Sequence, residues 1–150
     1  TNKVKYIMDK VCLIQSLDRM NLALEIDRQA QRAGVRMPVL VQVSPAGEEQ
    51  KGGMPPEDVR AFLNEVRHMD GLHVEGLMAV MPHTPEEEYL SGLFGQMRTL
   101  FEQLREEAIP GVEMRELSMG MSGDYEDAIA AGSTMIRVGT AIFGARNYAR

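Results

Sequence analysis

Two glycine turns carry hydroxyls in the stretch "SMGMSGDYEDAIAAGSTMIRVGTAIFGA", residues 118–145: Ser122-Gly123 and Gly139-Thr140. A glycine lets the backbone close on an anion, and the N–H groups at a helix start point towards it. The serine and threonine hydroxyls can donate as well. The chemistry these turns share is phosphate binding. Each hydroxyl could equally be a plain helix N-cap, and the spacing leaves both readings open. Arg137 stands two residues before the second turn, inside an apolar run. A cation in a strand of a closed core is costly without a partner. Glu75 or Glu116 could pair with it, or it could face a ligand.

Elsewhere the sequence offers less. The loop "PAGEEQKGG", residues 45–53, is rich in glycine but lacks the GxxxxGK[ST] order of a P-loop. Lys51 in that loop is either an exposed lysine or one that reaches a strand-end ligand. His68, His73 and His83 show no metal-ligand spacing, and His68 and His73 read as surface residues. No CxxC, HExxH or GxSxG occurs. No metal site and no catalytic residue is assigned. Met78, Met81, Met119 and Met121 fall near strand ends, where they fill the core or wall a flat ligand. Cys12, the single cysteine, lies in the apolar run "VCLI" and is expected in a buried strand. A lone cysteine excludes a disulfide framework, which favours a reducing, cytoplasmic setting.

These residues need elements to hold them. Short apolar runs at 11–16, 39–44, 74–80, 116–119 and 134–138 read as five strands. Most are continuously apolar, as in sheets covered on both faces. Helical spacing fills the gaps. The first helix runs over 18–33 with Gly34 as its stop, and the second starts at Pro55. The third opens on a capping box of Thr84, Pro85 and Glu87 and is ended by Pro110-Gly111. A short fourth covers 124–131, and a fifth begins near 141. Strand–helix alternation of this kind means an α/β fold with a parallel sheet. Two architectures fit: a segment of a (β/α)₈ barrel, or a complete five-stranded doubly wound sheet. In both, ligands gather at the carboxyl ends of the strands.

The chain has 150 residues, 44% of them apolar and 25% charged, with a net charge of −6. That composition suits a single globular domain over residues 1–150. The basic patch of a nucleic-acid binder is missing, as is any apolar run long enough for a membrane span.

The segments "LSMGMSGDYEDAIAAGSTMIRVGTAIFGAR" (117–146), "GLMAVMP" (76–82), "VLVQVSPAGEEQKGGM" (39–54) and "TNKVKYI" (1–7) resemble the pyridoxal phosphate homeostasis protein family. The resemblance covers essentially the whole chain. It implies a fold like the N-terminal barrel of alanine racemase, of which this chain would supply strands four to eight. It implies a non-catalytic protein that binds pyridoxal 5′-phosphate in its storage or delivery. Carried over by motif, Ser122, Gly139 and Thr140 would hold the phosphate, with Ser118 and the Met119–Met121 backbone nearby. Arg137 would face the pyridine nitrogen. The family's Schiff-base lysine lies on an early strand in a "VSK"-like segment, and no such segment occurs here. Lys51 is the single substitute considered. A truncated barrel leaves open parallel edges, so self-association is expected. A pyridoxal-dependent racemase and a doubly wound switch module are the competing functions.

Overall fold

The structure, a computed structural model, describes residues 3–145. Thr1 and Asn2 of the opening segment and Arg146 of the closing motif lie outside the described residues. Five strands form one sheet: β1 (Ile14–Leu17), β2 (Met37–Val43), β3 (Leu72–Ala79), β4 (Val112–Met121) and β5 (Met135–Arg137). All neighbours are parallel and the order is sequential, β1-β2-β3-β4-β5. A doubly wound sheet needs a point where strand order reverses. No reversal occurs, so the doubly wound alternative is corrected: the sheet is a barrel segment.

Between the strands lie α1 (Met20–Ala33), α2 (Val59–Val66), α3 (Glu87–Glu107) and α4 (Tyr125–Ala130), with α5 (Thr140–Phe143) after β5. Each longer helix buries most of the stripe that its spacing predicts, with Ala33 at the end of α1 exposed and Phe62 of α2 partly covered. Leu22, Ala23, Ile26 and Ala30 are buried on α1, and Val59, Leu63 and Val66 on α2. On α3 the stripe includes Phe94, Met97 and Phe101. These side chains pack on Val39, Val41, Val43, Val74, Leu77, Leu117 and Met119 of the sheet in one cluster. Burying each large apolar side chain stabilises the fold by about 1.5–3 kcal/mol. Leu40 and Met78 are buried but lie outside that cluster, on the opposite face of the pleat.

Several boundaries depart from the sequence reading, each for a local reason. The first strand starts at Ile14, not at residue 11. Val11 instead donates its N–H to the carbonyl of Ile7, so that segment is a turn, and Cys12 is exposed. The expected buried strand cysteine is therefore corrected. β4 starts at Val112 rather than 116, because ladder pairing extends to Val74↔Val112. The Thr84 capping box does not form: Thr84 Oγ1 accepts the N–H of Glu86 in a turn before the helix, which starts at Glu87. That helix ends before Pro110, at Ala108, the one non-glycine residue with positive φ (47°) among the described residues.

Two glycines permit close approach. At Gly76 (φ 150°) a Cβ would stand 1.8 Å from the Glu116 carbonyl oxygen, so only glycine lets β3 and β4 pair there. At Gly120 (φ 98°) it would stand 2.6 Å from Ala128 Cβ, so only glycine lets α4 settle onto β4.

Candidate functional site

Because every strand is parallel, the five carboxyl ends open at one end of the sheet. Two of them bring the predicted turns together. Ser122, just past β4, accepts the N–H of Gly139 at 3.0 Å and of Ala141 at 3.2 Å through its Oγ. One hydroxyl thus joins the turn after β4 to the turn after β5. Asp124 Oδ1 tightens the first turn by accepting the Met121 N–H at 2.5 Å. Gly139 and Thr140 are exposed, and nothing lies within 4 Å of where a Gly139 Cβ would be. The Gly139 and Ala141 N–H groups are thus engaged by Ser122, and the turn that they belong to is open on its outer side beside two hydroxyls, a setting that suits an anion.

Arg137 points to the same end. Its Nη1 donates to Ser118 Oγ at 2.6 Å and its Nη2 to the Ala79 carbonyl at 2.8 Å. Burial depresses the guanidinium pKa below its usual value, and the charge of Asp124 opposes that only in part. Pairing with Glu75 or Glu116 is not what the structure has. Glu75 takes Arg115 at 2.5 Å and His73 at 3.3 Å, and Glu116 takes Arg115 at 3.4 Å and the Thr134 hydroxyl at 2.8 Å. Those acids lie earlier along β3 and β4, where Arg115 is the nearer cation. Arg137 is left a half-buried cation with neutral partners.

The other candidates divide. Ser118 is fully buried and donates its proton to Gln15 Oε1 at 2.7 Å. Met119 is fully buried in the cluster under the helices, and its carbonyl accepts the Ser133 hydroxyl at 2.8 Å. The Met119 side chain therefore cannot wall a ligand on the other face. Met121 is 37% exposed at the strand end. Lys51 donates to the Met81 carbonyl at 3.0 Å and pairs with Glu48 at 2.7 Å, strapping the loop after β2 to the strand end of β3. His73 is not a surface residue before a strand: it lies within β3, half-buried, with Glu113 at 3.1 Å. Among the described residues no cluster of His, Cys, Asp or Glu could hold a metal. No described helix is long and apolar enough to cross a membrane.

Gln15, bonded to Ser118, has a role that the sequence alone did not assign. Its signal was present: a carboxamide inside the run "LIQS". Its partner could not be seen, because Ser118 is far along the chain.

Comparison with known proteins places this geometry. The family model described as "Alanine racemase, N-terminal domain" matches residues 2–147. The chain is 43% identical to the "Pyridoxal phosphate homeostasis protein" of Aquifex aeolicus over 99% of its own length and 64% of the relative's. It is 35% identical to PipY of Synechococcus elongatus, solved with pyridoxal phosphate bound, with a TM-score of 0.86 over 95% of this chain and 66% of that one. It shares the fold of an alanine racemase from Clostridium difficile at 17% identity and a TM-score of 0.76, covering 97% of this chain and 39% of the racemase. The chain therefore spans slightly less than two thirds of the homeostasis proteins it matches.

Proposed function

We propose that this chain, which belongs to the alanine racemase N-terminal domain family, forms a single partial barrel domain that grips pyridoxal 5′-phosphate as a non-catalytic holder of the cofactor. The observation that carries the reading is the meeting, at the end of β5, of a half-buried cation whose hydrogen-bond partners are neutral with an open glycine turn. Arg137 is the last residue of β5, and Gly139 follows two residues later at the start of α5. A cation and an anion-binding turn on one short segment suit a ligand with a ring nitrogen at one end and a phosphate on a short arm at the other.

In this reading Ser122, Gly139 and Thr140 hold the phosphate, by hydroxyl and backbone donors. Ser118 and the Met119–Met121 backbone line the approach, and Met119 contributes its backbone rather than its side chain. Arg137 donates to the ring nitrogen. When bound, pyridoxal phosphate supplies an electron sink for carbanion chemistry. A guanidinium only donates hydrogen bonds, so Arg137 favours the ring nitrogen without a proton. It thereby holds that sink in its weaker form, which suits a holder better than a racemase. The one lysine at the strand ends, Lys51, is tied to Glu48 and Met81. Names of similar proteins support the homeostasis role.

The outer edges support self-association, since β1 pairs only with β2 and β5 only with β4 among the described residues. The single cysteine supports a reducing, cytoplasmic setting.

The test is a titration of the 150-residue chain with pyridoxal 5′-phosphate, followed by absorbance, with inorganic phosphate as competitor. Borohydride reduction and mass spectrometry report any covalent adduct. Binding that phosphate competes away, with no adduct on Lys51, is the expected result. Absence of phosphate-competed binding refutes the proposal. Sedimentation at rising concentration tests self-association, and a monomer at all concentrations refutes that part.

A further inference from the structure

We infer that Gln15 is a positioning residue for Arg137: through Ser118 its carboxamide holds the guanidinium among neutral hydrogen-bond partners, and so sets that subsite's preference for a ligand ring nitrogen without a proton. This rests on the cofactor reading above and goes further, because it assigns the selectivity to a residue on a distant strand.

The proton directions are fixed by the groups present. A guanidinium has no acceptor, so in the 2.6 Å contact Ser118 Oγ must accept from Arg137. The single serine proton is then free for Gln15 Oε1 at 2.7 Å. This fixes the amide of Gln15, whose Nε2 lies 3.2 Å from Met135 Sδ. Ser118 has no solvent exposure, so water cannot take over its bond to Gln15. The relay thus runs from β1 across the interior face of the sheet to β4 and β5.

Charge explains the choice of glutamine. A glutamate of the same size could accept the same serine proton. It would also bring a negative charge within two hydrogen bonds of Arg137, about 5 Å. Glutamine keeps the direction of the bond and omits the charge. Arg137 uses two of its N–H groups on Ser118 and Ala79 and keeps others for a ligand. A ring nitrogen with a lone pair can accept from it. A ring nitrogen that carries a proton cannot, and its positive charge is repelled.

The experiment uses the whole chain with Gln15→Glu and Gln15→Leu variants. Affinities are measured for pyridoxal 5′-phosphate, for its ring-N-methyl analogue, which is permanently cationic, and for inorganic phosphate. In parallel, ¹⁵N NMR follows the Arg137 guanidinium in the unliganded proteins. The wild-type chain is expected to prefer the uncharged ring. Gln15→Glu is expected to lower that preference by about tenfold or more, with phosphate affinity nearly unchanged. Slow rotation of the Arg137 guanidinium is expected in the wild type and Gln15→Glu and to be lost in Gln15→Leu. A preference unchanged by Gln15→Glu overturns the inference. If the wild type binds neither cofactor form, the cofactor reading fails and the selectivity falls with it. The positioning role is then decided by NMR alone, and identical Arg137 signals in all three proteins overturn it.

Discussion

Replacing Arg137 with methionine separates a ligand group from an interior strut. Methionine keeps much of the stem's length and removes the charge. The guanidinium makes two hydrogen bonds, to Ser118 at 2.6 Å and Ala79 at 2.8 Å. Bonds from a charged donor are worth about 1.5–3 kcal/mol each. Against them stands the loss of water around a half-buried cation, which depresses its pKa. Burying an ion costs several kcal/mol even after relaxation. Ser118 keeps its bond to Gln15 in the variant, while its oxygen and the Ala79 carbonyl each lose one incoming donor. The opposing contributions are of similar size, and the net change in stability is expected within about 1 kcal/mol of zero. Leu117→Ala calibrates the measurement, because Leu117 is fully buried and its loss should cost about 2–5 kcal/mol. Urea unfolding, with midpoint and slope compared across the three proteins, gives the stabilities. Titration with pyridoxal 5′-phosphate gives the affinities, where Arg137→Met is expected to lose about tenfold or more. A variant as unstable as Leu117→Ala with undiminished affinity would refute the reasoning, since Arg137 would then be serving the fold.

Three further outcomes follow from local geometry. Gly120→Ala puts a Cβ 2.6 Å from Ala128 Cβ at a φ of 98°; a cost of about 2–4 kcal/mol is expected, read as a fall in Tm of roughly 5–15 °C. Cys12 is exposed, so a thiol reagent should label it fully in the native chain, and protection until unfolding would contradict its place before β1. The Gln29 amide and then Arg28 hold the Glu25 carboxyl below the usual carboxylate range. A depressed carboxyl stabilises the fold above its unfolded pKa, and that contribution is lost as pH falls through the folded value. Gln29→Leu should therefore raise the Glu25 midpoint in a carbon-detected NMR titration, and an unmoved midpoint would discount the amide.

What the sequence made legible was whatever local spacing controls. The stripe of α3, from Leu90 to Leu104, was readable because each buried residue recurs at helical intervals. The closing motif was readable because its glycines and hydroxyls are neighbours in the chain, and the similarity to homeostasis proteins it suggested is borne out. Strand order was open until the structure, because alternation of strands and helices is common to both parallel architectures. Ends were misjudged where a specific hydrogen bond, local or between strands, outranked composition. Val11 is apolar enough for a strand but is held by Ile7, and "VEMR" at the start of β4 is too polar to read as buried although Val112 pairs with Val74. Of the two readings left open for Arg137, pairing with Glu75 or Glu116 failed for the same reason. Charges alone do not reveal that Arg115 reaches Glu75 first.

The two faces of this sheet do different work, and the difference bears on how a partial barrel can keep a site. The helix-facing side is closed by its own chain, with Phe94 and Phe101 fully covered against Leu117 and Met119. The opposite side carries Gln15, Ser118 and Arg137, which satisfy one another across β1, β4 and β5. Arg137 takes its hydrogen-bond partners from β3 and β4, and Ser122 takes its own from the turn after β5. The proposed grip at the ends of β4 and β5 therefore also draws on β3, through Ala79, and on β1, through Gln15. A covalent lysine anchor would be a separate part, adding a bond to a ligand already placed by its phosphate and its ring. On that account the grip and the anchor are separable. Loss of an anchor should then speed ligand release while leaving phosphate competition intact, whereas Ser122→Ala should abolish that competition with or without an anchor.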